Sequence, residues 1–286
     1  MFDQVKCIIF DLDGTLYEDI HHFEYYANQL KEKLSYGKHE AFEEDYIKVL
    51  QGEHPLSIGK AYDLKTDAIL TVDPYTNLVV AAKTWKGEPW THVQVAHHYP
   101  EEVSFDFENI IAIGDGWWLP FSIAVHHGLS LKDCYESYVQ TKDFMVSDQF
   151  ALTKTRGLKR MLGKWKQDKT LILLTNSESY DVVKLLDELQ LNNIFDEIIV
   201  SAQKPSLTKK HFTRILQEYE LFPEEVVSVG DNFMNEIAPA LILNMKALLI
   251  QTTPFTYKHP NLQVVSSLTE VIKMESIKKR SDSQRV

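Results

Sequence analysis

Four short segments of this sequence hold the residue types that phosphoryl transfer requires. Asp11-Leu12-Asp13-Gly14-Thr15-Leu16 carries two carboxylates, a glycine and a hydroxyl. Thr175-Asn176-Ser177 adds hydroxyls and an amide, and Lys204-Pro205 adds an ammonium. Gly230-Asp231-Asn232, followed by Asn235-Glu236, brings two further carboxylates. Together they offer an oxygen nucleophile, a proton carrier and groups that can receive developing negative charge.

For these segments to meet, something must bring their ends together. Each lies just beyond a short apolar run. Val5 to Phe10 is β-branched and aromatic, and reads as a buried strand ending at Asp11. After about Gln149 the pattern alternates regularly. Helix 153–166 precedes strand 170–174, helix 179–190 precedes strand 197–200, helix 207–219 precedes strand 226–229, and helix 234–243 precedes strand 247–250. Such alternation predicts an α/β, doubly wound parallel sheet with helices on both faces. Ligands in that fold bind beyond the carboxyl ends of the strands, where all four segments fall.

The four segments, in this order, resemble the motifs of the haloacid dehalogenase-like (HAD) superfamily, phosphatase type. The resemblance covers residues 5–16 and about 150–255, and implies a Rossmann-like catalytic core. It implies that Asp11 attacks phosphorus to form an aspartyl-phosphate, and that Asp13 protonates the leaving oxygen and then deprotonates water. Gly14 permits the turn that lets backbone N–H groups approach phosphate. Gly14, Thr15 and Asn176 are the expected substrate-binding residues. Thr175 is expected to donate to a phosphoryl oxygen, and Lys204 to neutralise charge on Asp11 and on that group. Crowding Asp11, Asp13, Asp231 and Glu236 without a cation would raise their pKa values and spoil the nucleophile. A hard divalent cation relieves this, and oxygen donors suit Mg²⁺. The family pattern implies Asp11, the backbone carbonyl of Asp13, and Asp231 as its ligands. Glu236 stands where the family usually has a second aspartate, and is placed with the metal set.

Between the first two motifs lie about 130 residues (17–148), the position of a family cap domain that closes over the site. The usual cap is helical. Here residues 20–50 read as helical, 68–84 as a β-hairpin about Pro74–Asn77, and 131–146 as helical, with 92–98 and 109–113 as further strands. A mixed α/β cap is therefore expected. The expected division is 1–16 plus 149–275 for the core, 17–148 for the cap, and 276–286 for a flexible basic tail. Gly114-Asp115-Gly116 mimics the fourth motif without its downstream acid and reads as a tight turn. Trp117 and Trp118 read as packing residues. The His doublets 21–22, 97–98 and 126–127 read as surface or packing residues, because neighbouring strand side chains point to opposite faces.

Composition bounds the function class. The chain has 286 residues, 44% hydrophobic, a formal charge of −11 and a pI near 5.5. A core can form, and an acidic surface disfavours nucleic acid and anionic membranes. No apolar run reaches the roughly 18 residues of a membrane helix. Cys7 and Cys134 form neither a disulfide framework nor a metal cluster. With no secretory signature at Met1 to Lys6, the reading is a soluble, reduced, cytoplasmic protein. The expected substrate is a small phosphorylated metabolite. A phosphomutase, a dehalogenase of the same superfamily and a non-catalytic binding module are the alternatives, and oligomeric state is not legible.

Overall fold

The structure, a computed structural model, describes residues 1–17, 19–252 and 255–274; the tail assigned to 276–286 lies outside the described residues. Strand β1 (Cys7–Phe10) comes first. Then follow α1 (His21–Lys33), α2 (His39–Gln51), β2 (Ala61–Asp63), β3 (Ala68–Val72), β4 (Val79–Thr84), α3 (His92–His98), β5 (Ile110–Ala112), α4 (Trp118–His126) and α5 (Leu131–Met145). The chain continues through α6 (Leu158–Trp165), β6 (Thr170–Leu174), α7 (Ser179–Glu188), β7 (Glu197–Ile199), α8 (Thr208–Glu218), β8 (Val226–Gly230), α9 (Ala238–Ile242), β9 (Lys246–Ile250) and β10 (Leu262–Val265). It divides into two compact units, Ile20–Phe150 and the remainder.

The second unit is built on a six-stranded parallel sheet of order β10-β9-β8-β1-β6-β7. All four residues of β1 are buried, as a central strand covered on both faces requires. Cys7 and Ile9 join Phe212, Ile215, Ile237 and Leu241 in one core beneath α8 and α9. Phe10 instead stacks on Trp165 of α6 and meets Phe195 edge-on. Because the chain runs outward from β1 through β6 and β7 and returns to pair β8 on the other side of β1, the order reverses at β1. Open α/β sheets place their ligand crevice at such a reversal.

The inserted unit holds a four-stranded antiparallel sheet, β4-β3-β2-β5, with helices. The hairpin β3–β4 forms as the sequence predicts, its turn fastened by Asp73, which accepts from the N–H groups of Tyr75 and Thr76. Residues 92–98 do not form the expected strand. They are helix α3, because Thr91 and Gln94 make a reciprocal capping box at its start. The helical stretch 20–50 is two helices, broken around Leu34–Lys38. Gly114-Asp115-Gly116 is a turn, with Asp115 Oδ1 accepting from the N–H of Trp117 at 2.9 Å. Trp117 is buried against Tyr26 and Phe23.

Two core helices differ from expectation. Residues 153–157 are not helical, and α6 begins after Gly157, whose φ of +88° starts a new segment. The predicted helix 234–243 is a wide π turn (Phe233–Ile237) followed by α9. Among the described residues no helix is long and apolar enough to cross a membrane.

Candidate active site

Asp11 leaves the end of β1 with its N–H still bonded to Val229 O (2.9 Å), so the sheet fixes its backbone. The chain then turns at once. Leu16 N–H donates to Leu12 O at 2.9 Å and Gly14 takes φ +73°, making one helical turn. That turn places Tyr17 four residues beyond Asp13 and on the same side. The Tyr17 hydroxyl donates to Asp13 Oδ1, and Ser177 Oγ donates to Asp13 Oδ2 at 2.8 Å. Both carboxyl oxygens of Asp13 are thus held by hydroxyls, one from just after β1 and one from just after β6.

Lys204 supplies the positive charge. Its side chain is almost fully buried and Nζ lies 2.6 Å from Asp11 Oδ1 and 2.6 Å from Glu236 Oε1. Burial alone would depress the Lys204 pKa, but the charges of Asp11 and Glu236 outweigh it and keep the ammonium protonated. Burial pushes the Asp11 carboxyl above its ordinary range; Lys204 pulls it back, and the charge of Asp13 adds to the rise. Burial raises Glu236 as well, with Lys204 opposing and Asp11 adding. Two buried carboxyls, Asp11 and Glu236, thus share the single ammonium of Lys204.

Asn176 anchors the lysine's backbone. Its Oδ1 accepts from Lys204 N–H at 2.7 Å and its Nδ2 donates to Lys204 O at 3.1 Å. An amide side chain matches both groups of one residue, as a neighbouring strand would. Thr175 is buried, with Oγ1 accepting from Ser177 N–H at 3.1 Å. Thr15 is fully buried within the turn, its N–H reaching Leu12 O.

The π turn explains Glu236. Asn232 Oδ1 accepts from the N–H groups of Met234 and Asn235 (3.0 and 3.1 Å) and so caps the turn. Glu236 Oε2 returns the favour, accepting from Asn232 N–H at 3.1 Å. With Oε1 on Lys204, both oxygens of Glu236 are engaged by protein donors. Asp231 takes a different direction. A Cβ on Gly14 would fall 2.1 Å from Asp231 Oδ2, so the missing side chain is what admits this carboxylate over the Asp11–Thr15 turn.

The residues present fit a hard cation. Asp11, Asp13 and Asp231 offer only oxygen, and the cradle above Gly14 brings Asp231 to the loop that carries the other two. The structure therefore assembles Asp11, Asp13, Thr175, Asn176, Lys204, Asp231 and Glu236 around the carboxyl end of β1. Sequence reasoning overlooked Tyr17 and Asn232 as supports. The helical spacing from Asp13 to Tyr17, and the cap-forming Asn232, were the available signals.

A family model described as haloacid dehalogenase-like hydrolase matches residues 126–250. Among solved structures, the magnesium-bound HAD-hydrolase YfnB of Bacillus subtilis is similar, with 15% identity, 94% of this chain and 98% of that chain covered, and a TM-score of 0.53. At that identity the likeness concerns the fold. A haloacid dehalogenase-like family hydrolase from Xanthomonas campestris is 15% identical over 96% of this chain and 98% of that chain, with a TM-score of 0.46. The 2-haloacid dehalogenase of Pseudomonas syringae pv. Tomato DC3000 is 13% identical over 95% and 98%, also with a TM-score of 0.46. No curated protein matches the chain.

Proposed function

We propose, from the match of residues 126–250 to a haloacid dehalogenase-like hydrolase model and the geometry of the site, that the chain is a Mg²⁺-dependent phosphohydrolase of that superfamily acting on a small phosphate ester. The observation that carries this reading is the pairing of two differently held carboxylates on one turn. Asp11 is oriented by an ammonium, while Asp13 is oriented by two hydroxyls.

In this mechanism Asp11 attacks phosphorus through the carboxylate oxygen that Lys204 does not hold. A P–O bond to Asp11 forms as the ester P–O bond breaks, and Asp13 delivers its proton to the departing alkoxide. Asp13, now ionised, takes a proton from water, whose oxygen attacks phosphorus and displaces Asp11 as a carboxylate. Tyr17 and Ser177 keep Asp13 aimed through both steps. Lys204 and the Thr175 hydroxyl proton receive charge on the phosphoryl oxygens. Asn176 fixes Lys204 from behind. Asp11, the backbone carbonyl of Asp13, and Asp231 would hold Mg²⁺, which when bound supplies charge neutralisation between the carboxylates and the phosphoryl group. Glu236 acts in this reading as the second counter-charge of Lys204. A dehalogenase has no use for a proton donor at Asp13, which favours the phosphatase reading.

The test is phosphate release from p-nitrophenyl phosphate and a panel of small phosphate esters, with Mg²⁺ and with EDTA, beside Asp11→Asn. Metal-dependent release that vanishes in the variant is expected. Turnover that persists in Asp11→Asn, or resists the chelator, would remove the mechanism. Release of halide from 2-haloacids in place of phosphate would remove the substrate class.

A further inference from the structure

We propose that the inserted unit carries a second metal site, built by Asp45, His126 and His127 for a divalent ion of the zinc class. Asp45 lies on α2, His126 is the last residue of α4, and His127 is its C-cap. One ligand atom from each lies within 4.8 Å of the other two. Reading the doublet as strand residues facing apart fails here, because His126 and His127 stand at a helix end and each brings a ligand atom near Asp45.

What distinguishes this cluster from a chance meeting of polar groups is its outer layer. His126 Nδ1 lies 2.8 and 3.0 Å from the two oxygens of Asp67. An ionised carboxylate can only accept, so Nδ1 carries the proton and the Nε2 lone pair is what His126 offers. Asp67 is itself aimed by the Tyr62 hydroxyl, which donates to its Oδ1 at 2.7 Å. The Trp85 indole lies flat on the His126 ring, 4.0 Å away with 6° between planes. Its Nε1–H donates to Asp45 Oδ2 at 3.0 Å. A carboxylate behind a ligating histidine, and a donor behind a ligating carboxylate, are the supports that orient metal ligands.

His127 Nε2 lies 3.0 Å from Asp45 Oδ2, a contact bridged by a proton in the ion's absence. A bound ion takes that proton's place, and the proton moves to His127 Nδ1. Neighbouring His54 does not count as a ligand, because its Nδ1 accepts from Leu56 N–H at 3.0 Å and its Nε2 therefore carries a proton. The His126 and Asp45 side chains are 22% and 18% exposed, so solvent reaches the cluster and would supply the fourth ligand.

The donor set selects the ion. Two imidazoles and one carboxylate suit Zn²⁺ or Co²⁺, whereas Mg²⁺ prefers oxygen alone. Tetrahedral zinc with bonds of about 2.0–2.1 Å needs donors roughly 3.3 Å apart, so the side chains must draw in slightly. The ion would tie the middle of α2 to the end of α4 and so stabilise the inserted unit.

The experiment uses the full chain in excess Mg²⁺. Equilibrium dialysis against ZnCl₂ with elemental analysis, thermal melts, and visible spectra with CoCl₂ are run on the native chain, His127→Gln and Asp67→Asn. The expected native result is one zinc per chain, a raised Tm, and cobalt absorption bands of a nitrogen-ligated, low-coordinate ion. His127→Gln should lose all three while its zinc-free Tm stays close to native. Asp67→Asn should retain the site with affinity weakened by about 10–100-fold. Absence of zinc from the native chain overturns the proposal, as does equal zinc binding in His127→Gln. Should His127→Gln fail to fold, undiminished zinc affinity in Asp67→Asn overturns it instead.

Discussion

Glu236 lies across the α-carbon of Gly230: a methyl group there would come within 2.6 Å of Glu236 Cγ and 2.8 Å of Oε2. Gly230 ends β8, so the strand's last residue is small because the Glu236 side chain must pass over it to reach Lys204. Gly230→Ala should therefore push Glu236 off Lys204 rather than merely tighten the core. Overpacking of this kind costs about 1–3 kcal/mol, so Tm should fall. Displacing a charge partner of Lys204 should lower kcat by on the order of a hundredfold, since misplacement by an ångström has that effect. Steady-state kinetics and a thermal melt check both. Native kcat in Gly230→Ala would mean that Glu236 has no part in holding Lys204.

Glu236 and Asp231 can be told apart by their dependence on metal. Both oxygens of Glu236 are engaged, one by Lys204 at 2.6 Å and one by Asn232 N–H at 3.1 Å. Asp231 instead sits over Gly14. Glu236→Gln should lower kcat with a modest change in the Mg²⁺ concentration for half-activity. Asp231→Asn should raise that concentration by at least about tenfold more, the scale on which metal-site partners act. Equal shifts in the two variants would return Glu236 to the metal set.

Burial pushes the thiols of Cys7 and Cys134 up to about 12. In the unfolded chain a thiol titrates near about 8.5. The folded state therefore holds protons that the unfolded state releases, and stability from this source is complete below that value and lost as pH rises toward 12. Neither thiol should react with a disulfide reagent at pH 8 in the native protein, and both should react in guanidinium. The denaturation midpoint should fall less steeply above pH 8.5 in a Cys7→Ala, Cys134→Ala variant than in the native chain. Rapid native labelling would contradict the burial of both residues.

The parallel sheet was legible because buried central strands are short apolar runs, and each such run from Val5 onward ends in a loop of small or polar residues. Asp11, Thr175 and Asp231 could be placed at strand ends for that reason alone. The partners of those residues were not legible. Glu236 reaches Lys204 only through a π turn capped by Asn232, and a uniform helix over 234–243 would have sent it elsewhere. Asn176 turns to the backbone of Lys204, a residue brought to it by the return of the chain after β7. Residues 92–98 are a helix with its start signature in Thr91 and Gln94, but the alternation of Val93 and Val95 with polar residues mimics a strand. A strand reading likewise hid the convergence of His126 and His127 on Asp45.

Asn176 provides the last prediction, because its two hydrogen bonds to Lys204 give it a positioning role in the proposed mechanism. Asn176→Ala removes the acceptor at 2.7 Å from Lys204 N–H and the donor at 3.1 Å from Lys204 O. Leaving such buried groups unpaired costs about 1–3 kcal/mol each, so the loop carrying Lys204 should loosen and Tm should fall. The ammonium would then sample positions away from Asp11, and kcat should drop by at least about tenfold, each 1.36 kcal/mol of lost transition-state stabilisation being tenfold. KM for a phosphate ester should change much less, because nothing that touches the ground-state ester has been removed. Asn176→Asp keeps an acceptor for the N–H but sets a carboxylate against Lys204 O, so it should rescue little. A variant whose KM rises while kcat stays native would place Asn176 on the substrate and end the positioning role.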